Sequence, residues 1–234
     1  MKPIQCPSWL TLPVVIGISA LAAAGVFVLW PEFDLFFSGL FFRPETQDFA
    51  GSHNAFVLAI YKNIPVFSKI FIVCAVLAFI GSLFLRGPKA RLWRVRTGFL
   101  ALALAIAPGL IVDVGLKNHI GRARPWQVAE FGGKAQFTPA FFPSDQCKKN
   151  CSFVSGHASA GFFFAAFGFL GGIAARRRWT FASIALGAIF GLGRISQGGH
   201  FLSDIVFAFY FTWFGIWLVW VIFRRAGFIQ KSNL

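Results

Sequence analysis

The second half of this 234-residue chain contains a set of cationic, imidazole, hydroxyl and carboxylate side chains suited to the chemistry of a phosphate group. The guanidinium group of arginine can donate two parallel hydrogen bonds to phosphate oxygens, and the ammonium group of lysine binds them through its compact charge. A Ser-Gly pair at the start of a helix adds backbone N–H donors for an anion. One histidine can attack phosphorus while another protonates the leaving oxygen. The candidate phosphate-binding residues are Lys117, Arg124, Ser155, Gly156 and Arg194, and the candidate catalytic residues are His157, His200 and Asp204.

The spacing of His200 and Asp204 predicts how the nucleophile is oriented. The two residues are four apart, so on a helix their side chains face the same way. A carboxylate bonded to one imidazole nitrogen fixes the tautomer and leaves the other nitrogen a better nucleophile or base. The pattern therefore predicts a His-Asp pair, with His157 as a separate acid.

The elements that must position these residues are membrane-spanning helices. The chain is 57% hydrophobic and only 13% charged, with 32 Phe and 8 Trp, whereas soluble domains are about a quarter charged. The formal net charge of +14 invites a nucleic-acid-binding hypothesis, but the solvated surface that such a protein needs is missing. Intrinsic disorder and a small disulfide scaffold are excluded too. The composition indicates one integral-membrane domain over residues 1–234, with the lipid bilayer and not nucleic acid as its partner.

Hydropathy predicts an all-α fold, a bundle of six transmembrane spans. Each apolar stretch is close to the ~20 residues that cross a bilayer. The third span contains Pro108-Gly109, where a helix can kink, and the Phe-rich segment Leu35–Phe42 is expected to lie flat in the membrane interface. The predicted spans are Thr11–Trp30, Ile64–Leu85, Thr97–Lys117, Ser155–Ala175, Thr180–Ser196 and Phe201–Phe223.

Basic residues predict the orientation of the bundle. Arg86–Arg96 holds five basic residues and no acidic residue, Arg176–Arg178 separates the fourth and fifth spans, and Arg224, Arg225 and Lys231 follow the sixth. Basic loops stay on the cytoplasmic side, so both termini are predicted to be cytoplasmic. All candidate site residues then fall at the outer ends of spans three to six.

The order and spacing of the site residues resemble the three-part signature of the type 2 phosphatidic acid phosphatase superfamily. The three parts are Lys117-x6-Arg124-Pro125, Ser155-Gly156-His157 and Arg194-x5-His200-x3-Asp204. A single part is common, but all three in order at helix ends on one membrane face are a specific signal. The resemblance covers about residues 97–223, and six spans are the usual arrangement of the family's membrane members.

Two positions depart from the family pattern. Val154 stands where the family has Pro, before Ser155, and Gly193 stands where the family has Ser, before Arg194. The first change affects the shape of the turn, and the second removes one hydroxyl near the phosphate. Neither change removes a cation, the nucleophile or the acid.

The resemblance implies a two-step hydrolysis of a phosphomonoester or pyrophosphate. His200, oriented by Asp204, attacks phosphorus while His157 protonates the leaving oxygen. Water then hydrolyses the phosphohistidine, with His157 as base. The three cations, Ser155 and the Gly156 backbone stabilise the equatorial oxygens. No metal and no other cofactor is implied, because the cations take the role of a magnesium ion.

A phosphorylated membrane lipid is the implied substrate, on the periplasmic face of a bacterial inner membrane. Lipid A is the first hypothesis, and undecaprenyl pyrophosphate and phosphatidylglycerophosphate stay open. An ion-coupled transporter is an alternative of another class, although its polar residues would lie near the middle of the spans. A non-catalytic phospholipid-binding relative is disfavoured by the complete catalytic set. The phosphate position, phosphotransferase activity and oligomeric state do not follow from the sequence.

Residues beside the motif have competing interpretations. Asp113 and Lys117 fit a helix-end ion pair, or Asp113 supports a functional Lys117 from behind. Arg122 is interpreted as a surface cation, with contact to a lipid headgroup as the alternative. The loop Gly132–Cys151 is either a solvated lid whose aromatic side chains dip into the membrane or a grip on an anionic headgroup.

Two cysteines share that outer loop. Cys147 and Cys151 are predicted to form a disulfide if the loop faces an oxidising periplasm. A zinc site is disfavoured, because His157 already has a role and no further ligand is nearby.

Overall fold

A computed structural model describes residues 8–229, which form a helical bundle with almost no strand. Helix α4 continues from Ala105 to Leu116 as a π-helix, and the short strands β1 (Phe42–Arg43) and β2 (Asp48–Phe49) pair antiparallel. The mostly helical fold confirms that part of the prediction. The helices are α1 (Ser8–Leu29), α2 (Glu32–Gly39), α3 (Ala55–Leu83), α4 (Pro88–Leu104), α5 (Gly156–Phe162), α6 (Ala165–Phe169), α7 (Ile173–Ser196) and α8 (Leu202–Arg225).

Five helices within residues 8–229 are long and apolar enough to cross a membrane. They are Thr11–Leu29, Ala55–Leu83, Pro88–Leu116, Ile173–Ser196 and Leu202–Arg225. Each corresponds to one predicted span, but the second begins nine residues earlier than Ile64, at Ala55, where Asn54 caps α3 by accepting hydrogen bonds from two backbone N–H groups. The predicted fourth span has no counterpart among the five.

The predicted fourth span, Ser155–Ala175, is broken into α5 and α6. Glycine weakens a helix, and here it allows close packing against α7. A Cβ on Gly161 would lie 2.6 Å from the Cα of Gly187, and one on Gly168 would lie 2.8 Å from the Cα of Arg176. Hydropathy alone does not register such breaks.

The arginine triplet Arg176–Arg178 lies inside α7, because that helix begins at Ile173. The prediction that the triplet separates two spans is therefore wrong. Arg176 is buried, with its guanidinium 4.3 Å from the ring centroid of Trp220 and 4.8 Å from that of Phe169. These cation–π contacts stabilise a charge that hydropathy assigns to a loop.

The irregularity expected at Pro108-Gly109 takes the form of the π-helix. Proline has no N–H group and its ring collides with the carbonyl four residues earlier, so a regular α-helix cannot pass through it unchanged. Wider π turns at such positions are frequent near functional sites. The π-helix ends at Leu116 and places Lys117 directly at its C-terminal end.

The bundle has two chemically different ends. The site end is where α7 ends and where α3, α5 and α8 begin. The basic end contains the α3–α4 connection, where Arg94 donates hydrogen bonds to the carbonyls of Ser82 and Leu85 at 3.2 and 3.1 Å. The chain termini, which are predicted to be cytoplasmic, lie largely outside the described residues.

Helix α2 covers the site end. It overlaps the segment Leu35–Phe42 that is predicted to lie flat in the membrane interface, but its Asp34 and Ser38 are fully buried in the protein. One face of α2 therefore packs on the bundle.

Candidate active site

The loop before α5 is joined to two other segments at the site end. The N–H of Cys151 donates to the carbonyl of Lys117 at 3.2 Å, and that of Ser155 donates to the carbonyl of Asp204 at 3.1 Å. Ser155 caps α5 by accepting from the N–H of Ala158. These bonds bring the Ser155-Gly156-His157 turn against the ends of the π-helix and α8.

The three predicted phosphate-binding cations surround this turn. Lys117 Nζ lies 3.0 Å from Asp113 Oδ1, so the ion pair expected from their spacing is present, and a Cβ on Gly156 would lie 2.7 Å from the same Nζ. Arg124 and Arg194 line one cavity of about 490 Å³. Arg194 Nε is a buried donor with no partner among residues 8–229. A buried unpaired donor suits an anionic ligand.

His200 is buried against the carboxylate of Asp204. Its Nδ1 faces Asp204 Oδ2 at 3.4 Å, in a geometry too distorted for a regular hydrogen bond, and such contacts often tighten only when substrate binds. Burial lowers the pKa of His200 to about 3, and the charges of Arg124 and Arg194 act in the same direction against Asp204. The imidazole is therefore neutral at pH 7, as a nucleophile must be.

His157 is covered by Tyr61, a residue that the sequence analysis missed. The two rings stack with centroids 5.0 Å apart, and His157 Nε2 donates to the carbonyl oxygen of Tyr61 at 3.1 Å. The guanidinium of Arg194 lies 4.4 Å from the centroid of the same tyrosine ring. Tyr61 thus contacts both a predicted acid and a predicted phosphate-binding cation.

Arg122 is fully buried, so its interpretation as a surface cation is wrong. Its Nη1 donates to Asp204 Oδ1 and its Nη2 to Asp34 Oδ2, both at 2.7 Å. Its Nε donates to the carbonyl of Thr138 at 2.7 Å, and its guanidinium lies 4.3 Å from the Phe201 ring centroid. Two buried carboxylates thus share one guanidinium.

The same network holds Asp204 in place. Oδ2 of Asp204 accepts hydrogen bonds from Ser152 Oγ and from the N–H of Phe201, while Asp34 accepts from the N–H and hydroxyl of Ser203 at 2.8 and 2.6 Å. The carboxylate that faces His200 is therefore held by Arg122, Ser152 and Phe201, and Asp34 in turn binds Arg122. Asp34 directly precedes the Phe-rich segment Leu35–Phe42, and a carboxylate beside so apolar a segment could have indicated a buried partner.

The two departures from the family pattern lie in different environments. Val154 is fully buried in an apolar cluster with Phe153 and Ala158. A Cβ on Gly193 would make an ordinary contact, 3.6 Å from Val57 Cγ1. Space therefore does not explain why serine is missing there.

The outer loop folds back onto the protein. Phe137 packs on Phe201 and Phe141 packs on Phe207, with centroids 5.3 and 4.4 Å apart. In the alternative in which the loop's aromatic side chains dip into the membrane, Phe137 and Phe141 therefore do not take part, whereas Phe142 is exposed. The lysines of this loop lie at its surface.

Cys147 and Cys151 are joined in a disulfide, with their Cα atoms 5.6 Å apart. The carbonyl of Asn150, inside this small ring, accepts a hydrogen bond of 2.8 Å from Arg124 Nη2. The ring thereby contacts Arg124, one of the predicted phosphate-binding cations. Across residues 8–229, no three His, Cys, Asp or Glu side chains are grouped in a way that could hold a metal ion.

Comparison with protein families gives a match over the part of the chain that holds the site. The model of the PAP2 superfamily matches residues 97–228. No solved structure is significantly similar to this chain.

The curated relatives described below are all named as phosphatases of lipid A. The lipid A 4'-phosphatase of Francisella tularensis subsp. novicida (strain U112) is 37% identical over 216 residues, which cover 91% of this chain and 96% of the relative. The lipid A 4'-phosphatase of Rhizobium leguminosarum is 32% identical over 79% of this chain and 84% of the relative. The lipid A 1-phosphatase of Rhizobium johnstonii (strain DSM 114642 / LMG 32736 / 3841) is 35% identical, over 53% of this chain and 46% of the relative.

Proposed function

Because this chain belongs to the PAP2 superfamily and is a bacterial multi-pass lipid phosphatase, we propose that its reaction is removal of the 4'-phosphate from lipid A. One observation carries the choice of substrate. A relative named lipid A 4'-phosphatase aligns with 91% of the chain, whereas the relatives named lipid A 1-phosphatase align with 53% and 57% of it. Nothing in the relatives' names favours undecaprenyl pyrophosphate, phosphatidylglycerophosphate or a transported ion.

The proposed reaction proceeds through His200. Its neutral imidazole attacks phosphorus, the P–O bond to the sugar breaks, and His157 supplies the proton that the leaving oxygen takes. Water, deprotonated by His157, then cleaves the P–N bond of the phosphohistidine and releases inorganic phosphate. Lys117, Arg124 and Arg194, together with Ser155 and the Gly156 N–H, stabilise the phosphoryl oxygens in both steps.

The proposed topology has six crossings. The π-helix and α7 both run toward the site end, so the chain must return to the basic end between them, and α5 with α6 is the segment that does so. We therefore assign α5–α6 as the fourth crossing. The basic end is assigned to the cytoplasm with both termini, and the active site to the periplasmic face of the inner membrane.

Phosphate release is expected to need no divalent metal, because guanidinium and ammonium groups supply the charge that a metal would otherwise supply. In detergent, lipid A should lose its 4'-phosphate at rates that agree within about twofold with and without EDTA. Mass spectrometry of the lipid product identifies the phosphate that is lost. Abolition of release by EDTA, restored by added metal, would contradict the mechanism, and retention of the 4'-phosphate would contradict the substrate.

Gly199→Ala is expected to impair phosphate binding, because its Cβ would lie 2.3 Å from Arg194 Nη2 and 2.6 Å from its Cζ. The guanidinium must then leave its position, and kcat/KM for phosphate release should fall about 10- to 100-fold. Gly193→Ala is the matched control, since its Cβ would make only an ordinary contact. Equal rates for the two variants would show that the position of Arg194 does not limit the reaction.

A further inference from the structure

A polar cavity of about 490 Å³ opens directly outside the phosphate-binding cations. Arg124 and Arg194 form part of its lining, together with Trp126, Gln127, Gln197 and Asn150. A phosphate held by the two arginines therefore has the group that carries it inside or beside this cavity. The other lining residues determine which groups fit.

Trp126 lines the cavity, and its backbone is held in place by a hydrogen bond and a tight turn. Its backbone N–H donates to the carbonyl of Gly198 at 3.1 Å, and it belongs to the tight turn Pro125–Gln127 that follows Arg124. The residue is 55% exposed, and no other aromatic ring contacts it within the described part of the chain. An indole face is thus available beside the phosphate site.

The side-chain amides of Gln127 and Gln197 line the same cavity, and each uses its oxygen but not its NH₂ group in a hydrogen bond with the described residues. Gln127 accepts from the N–H of Arg124 at 2.9 Å through Oε1, and Gln197 accepts from Arg194 through its Oε1. Neither Nε2 group makes a hydrogen bond to residues 8–229. Since each oxygen is fixed by an arginine of the site, the orientation of each amide is fixed as well.

An aromatic face beside oriented amide donors matches the chemistry of a pyranose ring. The C–H bonds on one face of a sugar carry partial positive charge and pack on the negative face of an indole, while its hydroxyl groups accept from amide N–H donors. A glycerol phosphate headgroup has no flat ring to cover the indole, and a polyprenyl chain has no hydroxyl groups for the amides.

We propose that Trp126, Gln127 and Gln197 form a sugar subsite that selects phosphates carried on a pyranose ring over phosphates carried on glycerol. The inference rests on the proposed function and deepens it, because lipid A carries its phosphates on sugar rings. Trp126 stacks on the ring while the two glutamine amides donate to its hydroxyl groups. The subsite thereby aligns the phosphate with Arg124 and Arg194.

The test is binding of two soluble probes, glucosamine 4-phosphate and glycerol 3-phosphate, to full-length protein in detergent. The His200→Gln background prevents hydrolysis during calorimetric titration. The sugar phosphate should bind about tenfold more tightly than the glycerol phosphate, and Trp126→Ala should remove most of that preference. Trp126→Phe should keep much of it.

The matched control is Trp93→Ala, which removes a tryptophan that is 61% exposed at the basic end of the bundle. It should leave both affinities unchanged. Equal affinities for the two probes, or equal losses for both in Trp126→Ala, would overturn the sugar subsite and leave Trp126 as a membrane-interface anchor.

Measurements of kcat/KM distinguish a failure of the sugar subsite from a failure of the proposed function. With His200 intact, Trp126→Ala should lower kcat/KM for lipid A about tenfold and change that for phosphatidic acid less than about twofold. A wild-type protein that prefers the sugar probe but releases no phosphate from lipid A would refute the proposed substrate alone. One that hydrolyses lipid A without preferring the sugar probe would refute the subsite alone.

Discussion

Replacing His200 by glutamine is expected to reduce phosphate release from lipid A by about three orders of magnitude or more. Glutamine keeps a polar group of similar reach but has no nitrogen that can form the phospho-enzyme. His200 is buried at the Asp204 carboxylate, and its pKa of about 3 keeps it unprotonated at neutral pH. Phosphate release per protein molecule, measured in detergent, gives the result.

His119→Gln is the matched control for this variant. His119 is an exposed histidine just after the π-helix, and its Nδ1 contacts the carbonyl of Gly115 at 2.6 Å. It should retain the wild-type rate within about twofold. If His200→Gln retained the rate of His119→Gln, another group would have to be the nucleophile.

Replacing Arg122 by methionine is expected to destabilise the protein by about 3–5 kcal/mol, because two buried carboxylates lose their shared cation. Asp34 and Asp204 are both fully buried, and each lies 2.7 Å from a guanidinium nitrogen of Arg122. Methionine fills much of the same volume without the charge. The midpoint and free energy of unfolding in detergent measure the loss, and activity should fall with it because Asp204 loses its anchor.

A second substitution separates charge from packing. Adding Asp34→Asn to Arg122→Met removes one of the two stranded carboxylates, so the double variant should recover part of the lost stability. Arg178→Met, at an exposed position of α7, is the control and should change stability by less than about 0.5 kcal/mol. Wild-type stability for Arg122→Met would mean that the carboxylates are neutral or hydrated in the native state.

The candidate site residues could be identified from the sequence because three short motifs carry them at helix ends. Lys117, His157 and Arg194 each fall where an apolar stretch meets a polar one, so hydropathy and chemistry identify the same positions. The family was confirmed by the match over residues 97–228.

The supporting groups could not be predicted in this way. The partners Asp34 and Arg122 are 88 residues apart, and no local pattern marks a buried ion pair of that separation. Tyr61 was missed because Lys62 and Asn63 made the start of the second span look like a loop, whereas α3 begins at Ala55. Hydropathy averages over a window, so it detects neither a capped helix start nor a break such as that between α5 and α6.

The ion pair between Asp34 and Arg122 joins the region matched by the family model to the N-terminal part of the chain. The family match begins at residue 97, yet one of the two carboxylates that bind Arg122 behind the proposed nucleophile comes from α2, near the start of the chain. A fragment limited to the matched residues would carry every motif but would lack the carboxylate that accepts a hydrogen bond from Arg122 Nη2. Helix α2 therefore belongs to the same folded core as the candidate site, and a domain boundary drawn at the family match would separate Asp34 from Arg122 and Ser203.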